Sequence, residues 1–136
     1  MKKKLQTLSI LLVIFLISSC ASIGGRGENN VIQDGWAGVY RGTIPAADGP
    51  GIDVILILRS SETYILIYNY IDRGGEDFIF TGSLTRNVAT NIITLNIDNF
   101  PPHYEAGRGF LTQLDLAGRR ITGELAGNYT LRKISH

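Results

Sequence analysis

The chain has 136 residues, with 13 Lys and Arg against 12 Asp and Glu, two His and a single Cys. No cluster of basic residues in this near-neutral balance suggests a nucleic-acid binder. One cysteine excludes an intrachain disulfide, so the fold must rest on an apolar core, which a chain of this length can supply.

Residues 1–19 read as a secretory signal. Lys2, Lys3 and Lys4 form a positive start, Ile10 to Ile17 an apolar run, and Ser18 and Ser19 a small-residue end. As a helix the apolar run covers about 12 Å, at ~1.5 Å per residue. A bilayer core needs about 30 Å, so the run is a signal segment and not a membrane span. Ile17-Ser18-Ser19-Cys20 resembles the bacterial lipobox, in which the Cys thiol is acylated and becomes the new N-terminus. Two or three acyl chains on Cys20 would hold the protein firmly, since each buried methylene is worth about 0.8 kcal/mol. Ala21 follows where Asp would, by resemblance to known sorting signals, retain the protein at the inner membrane. The expected location is therefore the outer membrane, with the domain facing the periplasm.

Residues 20–34 are expected to be the acylated cysteine and a flexible tether. Gly24-Gly25-Arg26-Gly27 has no strand before it and no helix after it, so it is linker and not a phosphate loop. Such a linker has an r.m.s. span of about 20 Å, enough to let a domain float clear of the membrane.

From residue 35 to 136 the pattern is strand, turn, strand. Trp36–Ile44 reads as a first strand. Ile52–Leu58 and Thr63–Ile71 are the strongest, rich in Ile, Val and Tyr and joined by Arg59-Ser60-Ser61-Glu62. A turn at Asp72–Glu76 leads to Phe78–Leu84, and a turn at Arg86-Asn87 to Ile92–Ile97. Pro101 and Pro102 break the pattern, because proline cannot donate to a ladder. His103–Gly107, Phe110–Leu116 and Asn128–Lys133 follow, with a turn over Ala117–Arg120 and a further short strand proposed at Ile121–Leu125. About eight short strands in a meander are all-β and close most economically into a small antiparallel barrel. A flat sandwich is the alternative.

At this point a family resemblance carries weight. Trp36-x-Gly38-x-Tyr40-x-Gly42-x-x-Pro45, Gly51-Ile52, Leu56-x-Leu58, Thr63-Tyr64, Tyr70, Gly82, Leu111-x-x-Leu114-Asp115-x-x-Gly118 and Asn128-Tyr129-x-Leu131 resemble the N-terminal domain of the NlpE family. The resemblance implies a small lipocalin-like barrel on an outer-membrane lipoprotein, linked to copper resistance and to envelope-stress and adhesion sensing. The family typically carries Pro-Cys-Ala-Asp-Cys-x-Gly-Ile after the first strand. Here Ala46, Ala47, Asp48 and Gly49 occupy that loop, and both cysteines are missing. Copper(I) selects soft sulfur ligands, and Cys20 is expected to be acylated while Met1 leaves with the signal. His103, beside Pro101 and Pro102, reads as a solvated loop residue. No metal or other cofactor is expected. Longer family members carry a second signalling domain that this sequence does not reach, which argues against an adhesion-sensing role.

No Ser, Thr or Cys stands in a recognisable nucleophile motif. Asp48 and Asp53 bracket Gly49-Pro50-Gly51 and read as an Asx-turn residue and an outward strand residue, not as a catalytic pair. An enzyme is not expected. The apolar pattern says more. If Val54, Leu56, Leu58, Tyr64, Leu66, Tyr68 and Tyr70 point inward, period-two alternation sends Ile55, Ile57, Ile65 and Ile67 outward together. Either another part of the chain covers them, or they form a patch for an envelope protein or a second copy. A second function reading uses the interior, where Tyr40, Tyr64, Tyr68, Tyr70 and Phe80 would line a cavity for a small apolar ligand.

Overall fold

The computed structural model describes residues 35–72 and 74–136. The signal segment, Cys20 and the tether lie outside the described residues. The alternation of apolar and polar residues yields eight strands: β1 (Gly38–Ile44), β2 (Ile52–Arg59), β3 (Thr63–Tyr70), β4 (Asp77–Asn87), β5 (Ile92–Leu95), β6 (His103–Gly107), β7 (Phe110–Gln113) and β8 (Thr130–Ser135). Each pairs antiparallel with the next, and β8 returns to β1 to close a barrel. The sandwich alternative is thereby excluded.

Three expectations need correction. The turn foreseen at Arg86-Asn87 is still strand, because β4 continues through Asn87 to ladder with β5. The turn follows it, where Asn87 Oδ1 accepts the amides of Ala89 and Thr90 at 3.0 and 3.2 Å. Ile121–Leu125 forms no strand. Among the described residues the one ladder contact near it is a single bridge from Leu114 to Arg120, and a short 3-10 turn at Ala126–Asn128 leads into β8. Nor is His103 a solvated loop residue: it opens β6, half-buried, with Nδ1 3.0 Å from Thr94 Oγ1.

Strand alternation builds the core. Val54, Leu56 and Leu58 of β2 and Tyr64, Leu66 and Tyr68 of β3 face inward, meeting Tyr40, Leu84, Ile93, Tyr104, Leu111 and Leu131 from the other strands. Trp36 caps one end, and the Tyr40 hydroxyl donates to its carbonyl at 2.7 Å. Burial pushes the Tyr40 phenol up to about 12. Closure is tight along β1: at Gly42 a β-carbon would stand 2.6 Å from the Thr130 carbonyl oxygen. Only glycine allows that approach.

Because every neighbour is antiparallel, the connections alternate between two ends of the barrel. The entry end holds Gly35, the β2–β3, β4–β5 and β6–β7 turns and the close of β8. The far end holds the β1–β2, β3–β4, β5–β6 and β7–β8 connections.

Adjacent residues of β3 test the register. Leu66→Ala, at a fully buried position, should cost about 2–5 kcal/mol in urea unfolding. Ile67→Lys, on the outer face, should cost well under half as much. Equal losses would mean that the strand does not alternate as described.

Candidate functional site

The outer face of β1–β4 is an ordered grid. Arg41 pairs with Ile55, Ile55 with Ile67, and Ile67 with Ile79; the next row pairs Val39, Ile57, Ile65 and Thr81. All four isoleucines named from the sequence therefore share one surface, and the alternation adds Val39 and Ile79 to them. Cross-strand neighbours partly cover each other, so the four are half-buried, while Ile79 is 62% exposed. Sequence reasoning missed Ile79 because Phe78 and Phe80 flank it, and a run of three apolar residues hides which one faces out.

Polar rows frame this grid. On the far-end side stand Thr43, Asp53, Asn69 and Asp77. Thr43 Oγ1 donates to Asp53 Oδ1 at 2.6 Å, Arg41 reaches Oδ2 at 3.1 Å, and Asn69 Nδ2 donates to Asp77 at 2.8 Å. The Thr43 hydrogen bond, followed by that of Arg41, holds the Asp53 carboxyl below its ordinary value. On the entry-end side Arg59 pairs with Thr63, and Thr63 with Ser83. Asp53 is thus a strand residue in a polar network. Asp48 is exposed and makes no side-chain hydrogen bond among the described residues, so the expected Asx-turn is not formed. The loop turns instead on Gly49 and Gly51, with φ of 109° and 139°.

The aromatic residues named as a lining separate into two groups. Tyr40, Tyr64 and Tyr68 are buried in the core. Tyr70 and Phe80 are only half-buried and stand towards the far end. Phe100 stacks on Tyr68 at 5.3 Å between ring centres and lies 4.6 Å from Phe80, and Tyr70 meets Phe78 edge-on. Tyr104 is fully buried and burial holds its phenol well above the ordinary range; Tyr68 stands beside it, yet its hydroxyl lacks a partner of good geometry.

Two clefts open at the far end. One, of about 420 Å³, is lined by Pro101, Gln113, Leu114, Leu116, Ile121 and Tyr129, with Asp115, Ala117 and Arg119 completing it. Gln113 is buried and its side-chain oxygen has no hydrogen-bond partner. Sequence reasoning passed over this residue, since one Gln in a strand carries no motif. The second cleft, of about 320 Å³, lies between the Pro45–Pro50 loop and Leu125 and Asn128. That loop holds Ala46, Ala47, Asp48 and Gly49, a single carboxylate where the family pattern has two thiols. These residues do not fit a copper site. Among the described residues no three His, Cys, Asp or Glu side chains gather into a metal site, and no helix is long and apolar enough to cross a membrane.

A family profile described as the NlpE N-terminal domain matches residues 40–124. The chain belongs to this family. Among solved structures it is similar to a candidate lipoprotein of Shewanella oneidensis, 33% identical with a TM-score of 0.68, over 79% of this chain and 96% of that one. It is also similar to the Cpx pathway activator NlpE of Escherichia coli, at 26% identity and a TM-score of 0.53, over 64% of this chain. The shared part is 46% of that protein, so this chain spans less than half of it. Comparison with curated proteins gives no match. The barrel is thus an NlpE-type module associated with the cell envelope.

Asp53 offers a direct check on the grid's polar frame. A carboxyl held low adds stability above its unfolded-state value, and that stability is lost as pH falls through the folded value. Thr43→Val removes the largest cause, so the Asp53 carboxyl resonance should titrate at higher pH than in the parent protein. An unchanged midpoint would show that the Thr43 hydrogen bond does not hold it.

Proposed function

We propose that this chain is a non-enzymatic outer-membrane lipoprotein, anchored through acylated Cys20, that works as an interaction module of the envelope. The observation that supports this most is the block of aliphatic side chains on β1–β4. Val39, Ile55, Ile57, Ile65, Ile67 and Ile79 form two adjoining rows on one sheet face, bounded by polar residues at both strand ends. An apolar patch with a polar rim is the usual anatomy of a protein-binding surface. The partner is either an envelope protein or a second copy of the chain. Copper handling of the thiol type is not part of the reading, because Ala46 and Gly49 stand at the family's cysteine positions.

The anchor and the patch are tested separately. Mass spectrometry of the exported protein should find acyl groups on Cys20, and Cys20→Ser should release the chain from the membrane fraction. An unmodified thiol would overturn the anchor. A photo-crosslinker at Ile67 should capture a partner in cells, and Ile65→Lys should abolish capture. Light scattering on a chain from residue 21 then identifies the partner as a second copy if a dimer forms and Ile65→Lys dissolves it. Absence of both capture and dimer would remove the patch reading.

A second reading, binding of a small apolar ligand, is favoured by one observation: the partnerless oxygen of buried Gln113 at the larger far-end cleft. A buried polar group without a partner costs about 1–3 kcal/mol, and a ligand amide would relieve it while its chain contacts Leu114 and Ile121. This site is at the rim, whereas the aromatic residues foreseen as a lining are largely core. Hexanamide is a suitable probe. It should shift the Leu114 and Ile121 methyl resonances, and Gln113→Leu should abolish the shift while leaving the fold as stable or more so. No shift at saturating hexanamide would sink this second reading.

A further inference from the structure

Among the described residues, the charged side chains outside ion pairs divide between the two ends of the barrel. Four ion pairs occupy Arg41 with Asp53, Arg86 with Glu62, Arg119 with Asp115 and Arg120 with Glu105. Among the described residues the arginines outside these pairs are Arg59, Arg108 and Arg132. Arg59 closes β2, Arg108 lies in the β6–β7 turn, and Arg132 is in the half of β8 that pairs with Phe110 at the start of β7. All three are exposed and belong to the entry end. The acids outside ion pairs lie in the far-end connections: Asp48, Asp72, Glu76, Asp98 and Glu124, with Asp77 opening β4 beside them.

Large apolar side chains are exposed at both ends, Ile71, Phe78, Leu116 and Leu125 at the far one, so it is the charge that sets the entry end apart. At the entry end Ile134 is 61% exposed beside the register shift where β8 meets β1, and Phe110 and Val88 are each 37% exposed. Basic residues interleaved with exposed apolar ones are the composition of a surface that rests on anionic lipid: the cations meet headgroups and the apolar tips enter the boundary layer. The chain itself enters at this end. Lys133 Nζ donates to the Gly35 carbonyl there, and from Gly35 the sequence runs back only through residues 21–34 to Cys20. Fourteen residues reach at most about 50 Å, so an anchored domain is held to the bilayer from its basic end.

We infer that the entry end of the barrel is a membrane-contact surface for anionic lipid, with Arg59, Arg108 and Arg132 as its cations and Phe110 and Ile134 as its apolar tips. The acidic far end, with its clefts, then points away from the bilayer. This orientation does not depend on the patch on β1–β4. It would complement an acyl anchor, but the lipid contact is a property of the barrel and is tested without one.

Among the described residues the core lies between Trp36 and Leu131, so a chain from residue 21, unacylated, keeps the barrel. It is tested by flotation with vesicles of phosphatidylcholine alone and of phosphatidylcholine mixed with phosphatidylglycerol. The chain should float with the mixed vesicles and not with the neutral ones, and added salt should release it. Each basic residue at such a surface is worth about fivefold in partitioning, so Arg59→Glu, Arg108→Glu and Arg132→Glu should each lower it by at least about that factor. Phe110→Ser should lower it as well. Asp72→Asn with Glu76→Gln, which changes net charge in the opposite sense at the far end, should not raise it comparably. The inference fails if neutral and anionic vesicles bind alike or not at all. It fails too if far-end and entry-end charges count equally. Unchanged urea unfolding of the arginine variants separates lost contact from lost fold.

Discussion

Closing the sheet upon itself is the constraint from which the other features follow. Once β8 ladders onto β1, each strand has one face in the core and one in water, and no freedom remains to turn a side chain from one to the other. That closure needs the two backbones to come together at Gly42, where the Thr130 carbonyl leaves no room for a side chain. The burial of Tyr40 and Leu131 and the outward grid of isoleucines are consequences of the same act. A sheet that stayed open would leave β1 and β8 with unpaired edges, the arrangement that promotes aggregation.

The fold was legible because alternation is a strong signal where it is clean. In Val54–Leu58 and Tyr64–Tyr68 every second residue is large and apolar, yet so are the residues between them, and the face assignment there rested on placing tyrosines inward with leucines. The structure agrees. The NlpE resemblance was legible from the order and spacing of glycines and aromatics, and the family profile covers most of that stretch, residues 40–124. What remained hidden has physical reasons. The end of β4 was misjudged because Arg86 and Asn87 have turn-like composition, while tertiary pairing with Ile92 and Ile93 holds them extended. Ile121–Leu125 looked like strand from its apolar ends, but no neighbouring strand offers it a free edge. Gln113 was invisible because its significance lies in the absence of a partner, which no sequence pattern records.

The polar frame and the charge division belong to one design. Ion pairs neutralise Arg41 and Arg86 on the wall and Arg119 and Arg120 in the β7–β8 connection, so among the described residues the remaining charge stands at the two ends. Exposed pairs of this kind add little stability, commonly under about 1 kcal/mol each. Their effect here is to confine net charge to the rims, where it can orient the molecule.

Strand β4 is longer than either partner needs. Its first half, Asp77–Ser83, ladders with β3, while β5 meets only Leu84–Asn87. On its other side the first half is flanked by the Asn96–Phe100 segment, with Asn96 donating to the Ser83 carbonyl and Phe100 against Phe80. The wall is therefore hemmed at this seam by a loop and aromatic contacts instead of a continuous ladder. Breathing motions of the barrel should begin there: amides along this stretch would exchange with solvent ahead of those in β2 and β3. A barrel described by its topology as edgeless thus keeps one concealed selvedge, and it runs down to the end that holds the clefts.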